Sequence, residues 1–479
     1  MIDKNIDALF TQWLENNKDK IVEKWIELAK IPSITSEKAE KAPFGVECAR
    51  ALNYAASLFS SEGIESKVYD DGGYALVHYG EGEKTIGLFS HSDVVPVGDG
   101  WLFTEPFNPV IKDGSLIGRG VEDNKSGIIA SLCLIKFLKD SGINLGSQID
   151  AFIGSDEECG MKDMLAYLAE QKMPDISFVP DADFPCSTGE KGICHLWAKS
   201  VKTLRDIKKI TAGEAFNIVL DKIEAEIVYS EDLYNELKEK LSGNEKITLS
   251  ADENTIVLLA KGISKHASIP EGSENAALTL FSLLSECENL CECDRAILKN
   301  AAEALSCYYG KGLNILHEDP NFGKTTCTNG MVKIEDEKLM VSFDIRYGDT
   351  MDASLLESNS AEALDRLGFE VVYKDNSPGF SIDKDSKIPE VLEGIFAEIT
   401  GEYQKSVLMS GGTYARKLKN AFSLGTSVIL PDRKDKVLQM PDGHGGPHQR
   451  DERIDIDGFF TAVRILIHYV IESDKIINN

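Results

Sequence analysis

Four short apolar runs in this chain each deliver acidic or histidine residues at their C-terminal end, and that pattern constrains the fold more than any other. Thr85-Ile86-Gly87-Leu88-Phe89-Ser90 leads into His91-Ser92-Asp93. Leu116-Ile117-Gly118-Arg119-Gly120 leads to Glu122-Asp123, Ile149 to Gly154 into Asp156-Glu157-Glu158, and Ile176 to Val179 into Pro180-Asp181-Ala182-Asp183. Runs of this length between helix-like segments predict strands of an α/β sheet. Ligands of open α/β sheets sit outside the carboxyl ends of the strands, so four such ends predict one shared site. Each element alone has a plainer reading. Asp123 before a helix reads as an N-cap, His91 as a buried structural histidine, and Glu157-Glu158 as solvated surface. Together they are hard to explain as caps and surface.

Charge sharpens the point. The sequence carries 79 Asp and Glu against 51 Lys and Arg, a net charge of -28. Carboxylates gathered in one pocket of such a chain repel one another unless cations sit among them. Mixed His and carboxylate donors suit zinc, and also manganese or cobalt. Two ions roughly 3.5–4 Å apart, bridged by one carboxylate and one water, form a known hydrolytic arrangement. The same charge argues against nucleic-acid partners and anionic membrane surfaces.

The rest of the chain sets the frame. At 479 residues two domains are expected. Apolar residues at helical spacing predict two core-facing helices, one through Ile6, Leu9, Phe10 and Trp13, the other through Ile21, Val22, Trp25, Ile26 and Ala29 and ended by Pro32. A helix is expected over about residues 46–61, and alternating strands and helices follow to about 180. From 190 to 378 the pattern changes to strand, helix, strands, helix, strand, which predicts a separate α+β domain inserted into the first. Within it, 255–260 and 339–346 read as strands, 275–284 and 354–367 as helices, and 369–373 as a closing strand. The first domain then comprises 1–189 and 379–479, ending in an amphipathic helix over about 454–471. No run approaches the roughly 18 apolar residues of a membrane span, and the first ten residues lack the layout of a signal peptide. Ten scattered cysteines fit reduced thiols in the cytoplasm. Cys287, Cys291 and Cys293 lack the matched Cys or His pair that a thiolate site needs, and read as small apolar residues on or near a helix.

His91-Ser92-Asp93-Val94-Val95-Pro96, Gly118-Arg119-Gly120 with Asp123 and Lys125, and Asp156-Glu157-Glu158 resemble the M20 metallopeptidases. Pro180-Asp181-Ala182-Asp183-Phe184-Pro185 and Glu190-Lys191-Gly192 are similar to the dipeptidase branch typified by PepV, close to the Xaa-His dipeptidases. The resemblance runs from about residue 20 to the C-terminus. It implies an α/β catalytic domain with a mixed sheet flanked by helices, and an inserted α+β lid that binds substrate. It implies two divalent ions, zinc first. His91, Asp123 and Asp181 would hold one; Asp123 would bridge to the second, completed by Glu158 and a C-terminal histidine. Glu157 would be the general base acting on a bridging water, and Asp93 would orient the ring of His91. His444 and His448 compete for the C-terminal position. The family has a His followed closely by an acid, which favours His448 with Glu452.

In the lid, Gly262-Ile263-Ser264-Lys265-His266-Ala267 resembles the family's lid histidine motif, so His266 would polarise the scissile carbonyl. Phe343-Asp344-Ile345-Arg346-Tyr347 puts Arg346 where the family binds the substrate's terminal carboxylate, with Asn217 as its partner. Gly411-Gly412-Thr413-Tyr414 resembles the substrate loop, which makes Gly412 and Thr413 substrate-binding residues. A lid anchored on that carboxylate limits substrate length, and the expected activity is hydrolysis of unblocked dipeptides by a monomer or homodimer. The alternative is an N-acyl amino-acid deacylase of the same fold, acting on succinyl-diaminopimelate or acetylornithine; a peptide-binding protein without catalysis is a third reading. The sequence departs from the family where Asn124-Lys125-Ser126-Gly127 stands for Asp-Lys-Gly-Pro, in the short Cys159-Gly160-Met161-Lys162 stretch, and at Arg450, where Pro is usual. These departures bear on substrate preference rather than on metal ligation.

Overall fold

The computed structural model describes residues 2–69, 73–383 and 385–479. The chain divides into two compact units, the first made of Met1–Gly189, Ile382–Val407 and Thr413–Asn479, the second of Glu190–Ser381 and Leu408–Gly412.

The first unit is built on a mixed sheet. Its strands lie in the order Glu65–Tyr69, Tyr74–Tyr79, Gln148–Gly154, Thr85–His91, Ile176–Pro180, Ala421–Leu424. The last four run parallel, with helix Lys125–Ser141 in the connection from Thr85–His91 to Gln148–Gly154 and helix Lys162–Glu170 in that from Gln148–Gly154 to Ile176–Pro180, whereas the first two pair antiparallel. Thr85–His91 is buried at every position, as a strand with both faces covered must be. Helices Lys4–Ala29, Val46–Ser60, Lys125–Ser141, Ile388–Thr400 and Ile456–Ile477 supply the covering apolar faces; Trp25 packs on Phe459 with ring centroids 4.4 Å apart. The parallel arrangement sends His91, Gly154, Pro180 and Leu424 to one edge.

Two expectations differ from the structure. The N-terminal apolar residues form one helix, Lys4–Ala29, rather than two; the polar stretch between them contains no Gly or Pro to break it. The run ending at Ile117 is not a strand of the main sheet. Ser115–Ile117 lies in a separate three-stranded antiparallel sheet between Val110–Lys112 and Arg453–Asp455. Three residues of strand flanked by turns read the same in either sheet, and only the long-range pairing with 453–455 decides. That pairing brings the segment carrying Asp123 beside the segment carrying His448.

The second unit has its own antiparallel sheet, in the order Ile247–Ala251, Thr255–Lys261, Lys222–Val228, Ile207–Ala212, Val332–Glu335, Lys338–Tyr347, Gly192–Ser200, Phe369–Ser377. Along Gly192–Ser200 burial alternates strictly. Cys194, Leu196 and Ala198 enter a core shared with helices Ala276–Ser285, Glu292–Leu305 and Ala353–Arg366, while His195 and Trp197 occupy the opposite face. Among the described residues no helix is long and apolar enough to cross a membrane.

Candidate metal centre

The centre is assembled in the first unit from strand ends and two loops. His91 closes Thr85–His91 and is 1% exposed. Its Nδ1 faces the backbone carbonyl of Asp93 at 3.0 Å, which leaves Nε2 as the outward lone pair. Nε2 lies 3.2 Å from Asp123 Oδ1, 3.7 Å from Asp181 Oδ2 and 4.0 Å from Glu157 Oε2, and none of these contacts has hydrogen-bond geometry. On the other side of Asp123, Oδ2 meets His448 Nε2 at 3.0 Å, and the same nitrogen lies 3.2 Å from Glu158 Oε2. Asp123 thus turns one oxygen toward each of two histidine–carboxylate groups. His444 goes elsewhere, its Nδ1 2.5 Å from Asp451 Oδ2.

Buried carboxylates brace the centre. Asp93 accepts from the backbone N–H of Glu157 (3.2 Å) and Glu158 (3.0 Å), and so pins the turn after Gln148–Gly154. Its carboxylate lies only 3.4 Å from His91 Nδ1. The ring is held chiefly by the Asp93 carbonyl, and the carboxylate serves the Glu157–Glu158 turn, a role the sequence reading did not give it. Asn124 sits at the N-cap of Lys125–Ser141 but makes no capping bond. Its amide donates instead to Pro180 O (2.5 Å) and Asp181 Oδ1 (3.0 Å), and its Oδ1 accepts from His91 N–H at 3.4 Å. A Cβ on Gly127 would stand 2.4 Å from that Oδ1, so the unusual Asn124 and the glycine three residues on fit one another. His448 and Asp451 both hold positive φ, 63° and 49°. Each costs about 1–3 kcal/mol and persists only where the surroundings over-determine it. At Asp451 three contacts do so: its carboxylate accepts from the N–H groups of Leu102 and Phe103 and meets His444.

The electrostatics are those of an anionic pocket. Burial, then the charges of neighbouring acids, pushes Glu157 well above the carboxylate range despite His91, and burial and Asp123 raise Glu158 to about 7. Burial and Asp123 also raise Asp181. His448 is held up to about 11 by Asp123 and Glu158. Burial opposes protonation of His91, but Asp123, Asp181 and Asp93 outweigh it and raise the ring well above its usual value. His91 Nε2, Glu157 Oε1 and Glu158 Oε1 are buried without hydrogen-bond partners. Orphaned donors of this kind, with ligand atoms of His91–Asp123–Glu158 and of His91–Glu157–Asp181 each within 4.8 Å of one another, fit divalent cations. A third convergence, Asp206, Cys291 and Asp294, is explained without a metal: Asp294 accepts from the N–H groups of Arg205, Asp206 and Ile207, and Asp206 from that of Cys291.

The second unit holds the remaining candidates apart from Thr413. Ala267 N–H donates to Asn217 O at 2.9 Å, so Asn217 and His266 sit on paired backbone segments. His266 Nδ1 accepts from Ser268 N–H at 3.2 Å and lies 2.6 Å from Ser268 Oγ. A neutral ring so held carries its proton on Nε2, which makes that atom a donor. Arg346 is buried, its Nε and Nη2 on the Asp344 carboxylate at 2.6 and 2.8 Å and its Nη1 on Ser410 O at 3.1 Å. His195 Nε2 completes the Asp344 shell at 3.1 Å. Gly412 ends the second unit. Thr413 opens the next segment of the first unit with its hydroxyl on Ser423 Oγ (2.9 Å) and Ala415 N (3.1 Å); it caps the turn at Tyr414–Lys417. The sequence reading quoted Asp344, Arg119 and Glu452 only as parts of motifs and gave none of them a role, and it missed the bracing role of Asn124. An acid two residues before an arginine on a strand was the available signal for Asp344, since such residues share a face.

Residues 87–472 match the profile described as Peptidase family M20/M25/M40. A Staphylococcus aureus (strain USA300) protein named "Putative dipeptidase" is 25% identical over 489 residues, 96% of this chain and 98% of that one. Its counterpart in strain MRSA252 is 26% identical with the same coverage. Among solved structures, human carnosine dipeptidase 1 aligns with a TM-score of 0.56 at 15% identity, over 98% of this chain and 100% of that one. The dipeptidase Dug1p of Saccharomyces cerevisiae aligns with a TM-score of 0.58 at 14% identity, over 99% of both chains. At these identities the likeness speaks for the fold.

Proposed function

The chain belongs to peptidase family M20/M25/M40 and is a hydrolase of peptide bonds; from that premise we propose that it cleaves unblocked dipeptides at a centre of two divalent ions. One observation carries the reading: Asp123 presents one oxygen to His91 and the other to His448. His91, Asp123 and Asp181 would hold one ion, and Asp123, Glu158 and His448 the other. Zinc suits this donor set, with manganese or cobalt as alternatives. Bound there, the ions would polarise the scissile carbonyl and lower the pKa of water.

The chain's own groups account for the rest. Glu157 stands immediately before the assigned ligand Glu158 in sequence, has a buried oxygen with no partner, and is the base that takes the proton and returns it to the leaving amine. Asp93 holds Glu157 in place through its backbone N–H. In the second unit, the Nε2–H of His266 is the donor assigned to the substrate carbonyl. Arg346 is the group assigned to the terminal carboxylate, and Asn217 is assigned as its partner in that task. Asp344 takes Nε and one N–H of Nη2, and Ser410 O takes one N–H of Nη1, so one N–H on each Nη is left for substrate, and the buried Arg346–Asp344 pair fixes their orientation. Gly412 and Thr413 are assigned to the substrate loop, Thr413 through its backbone because its hydroxyl is engaged.

The test is hydrolysis of free dipeptides, tripeptides and N-acyl amino acids by metal-stripped protein reloaded separately with zinc, manganese and cobalt. Metal-restored cleavage of dipeptides alone is expected. Cleavage of N-acyl amino acids instead would replace the dipeptidase reading with a deacylase, and no turnover with any metal would leave a binding protein.

Loading should also release protons. In the ion-free protein His448 keeps its proton up to about 11 and Glu158 up to about 7, so a cation must displace both, and more protons are bound as pH falls. Zinc affinity should therefore weaken from roughly pH 8 to about pH 6, with proton release at neutral pH. Calorimetry in buffers of different ionisation enthalpy reads both. Uptake without proton release would remove His91, Glu158 and His448 together from the ligand set.

A further inference from the structure

Glu452 is fully buried, and its carboxylate is divided over four donors. Oε1 accepts from the backbone N–H of Glu122 at 2.9 Å and of Asp123 at 3.0 Å. Oε2 accepts from Gly120 N–H at 3.0 Å and from Arg119 Nη1 at 2.7 Å. Arg119 is 1% exposed, and its Nη2 reaches the backbone carbonyls of His448 and Pro96, both at 3.4 Å. The Glu452 carbonyl in turn accepts from Gly118 N–H at 2.9 Å, continuing the ladder in which Arg453 pairs with Ile117.

We propose that Glu452, acting with Arg119, is a positioning residue for the metal centre: it fixes the peptide from which Asp123 projects and ties it to the carbonyl of His448, so that two ligands from distant parts of the chain keep one register. The proposal rests on the reading of Asp123 and His448 as ligands. A bridging carboxylate must meet two sites at once, so a small rotation of its backbone spoils both, whereas a ligand serving one site can follow its ion. Three N–H groups converging within four residues need a carboxylate; no neutral side chain accepts on both edges. Arg119 supplies the fork that reaches a carboxylate and a carbonyl together, which a lysine ammonium cannot reproduce in the same plane.

Glu452→Gln tests this with little change of shape. The amide oxygen replaces one carboxylate oxygen, but the NH2 then faces either the N–H groups of Glu122 and Asp123 or that of Gly120 and the Arg119 guanidinium, donor against donor. Zinc affinity, read by competition with a chromophoric chelator, should fall roughly 10–100-fold, with circular dichroism unchanged and kcat reduced more than KM. Arg119→Lys should weaken zinc in the same titration by a smaller factor, and it carries the test should Glu452→Gln not fold. Wild-type zinc affinity in a folded Glu452→Gln, or in Arg119→Lys where Glu452→Gln does not fold, would overturn the positioning role and leave Glu452 a structural ion pair. Failure of the wild-type protein itself to take up zinc would instead remove the metal reading on which the proposal stands.

Discussion

Asp123→Asn should lower ion stoichiometry from two to at most one and reduce kcat/KM by roughly three to four orders of magnitude, the equivalent of the several kcal/mol that a metal centre supplies. The reason is geometric. Oδ1 faces His91 at 3.2 Å and Oδ2 faces His448 at 3.0 Å, so an amide must turn its NH2 toward one of the two. That side loses an anionic donor and gains a group with no lone pair to give. The backbone N–H of Asp123 still donates to Glu452, so the fold is expected to survive. Metal analysis of the purified variant, beside its circular dichroism and turnover of a free dipeptide, checks the outcome. Two ions and near-normal turnover in Asp123→Asn would sink the bridging role and with it the shared centre.

Glu157→Gln should leave both ions bound and KM little changed, while kcat falls about 10²–10⁴-fold, the range of a positioned general base. Glutamine keeps the side chain's length but cannot take a proton. The pattern separates a base from a ligand: a ligand variant loses metal, and a base variant keeps metal and loses the chemical step. Glu158→Gln is the internal contrast, because Glu158 Oε2 lies 3.2 Å from His448 Nε2 and its loss should be read in metal content. Full turnover in Glu157→Gln would move the base elsewhere. Loss of metal in Glu157→Gln equal to that in Glu158→Gln would make Glu157 a ligand.

Much of this centre was legible as sequence because several of its residues follow short, largely apolar strands. Thr85–His91, Gln148–Gly154 and Ile176–Pro180 announce themselves by composition, and the parallel sheet forces their ends to one edge. The family pattern added His448 and separated it from His444. Asn124 reads in the sequence as a departure from the family motif that bears on substrate preference; the structure gives it three polar contacts to the centre, which no local pattern contains.

What the sequence determined by itself was the chemical inventory: which acids and histidines stand at strand ends, and that a strongly acidic chain would need cations among them. Local periodicity carries that information because burial of a strand depends on the residues of that strand. The tertiary structure decided the pairings. The ladder of Ser115–Ile117 with Arg453–Asp455, the division of the Glu452 carboxylate over four donors, the clasp of Asp93 on the Glu157–Glu158 turn and the grip of Asp344 on Arg346 all hinge on which backbone N–H or guanidinium lies within about 3 Å of a buried oxygen. A buried carboxylate must find its donors wherever the fold brings them, and for Glu452 they lie in a segment more than three hundred residues earlier in the chain.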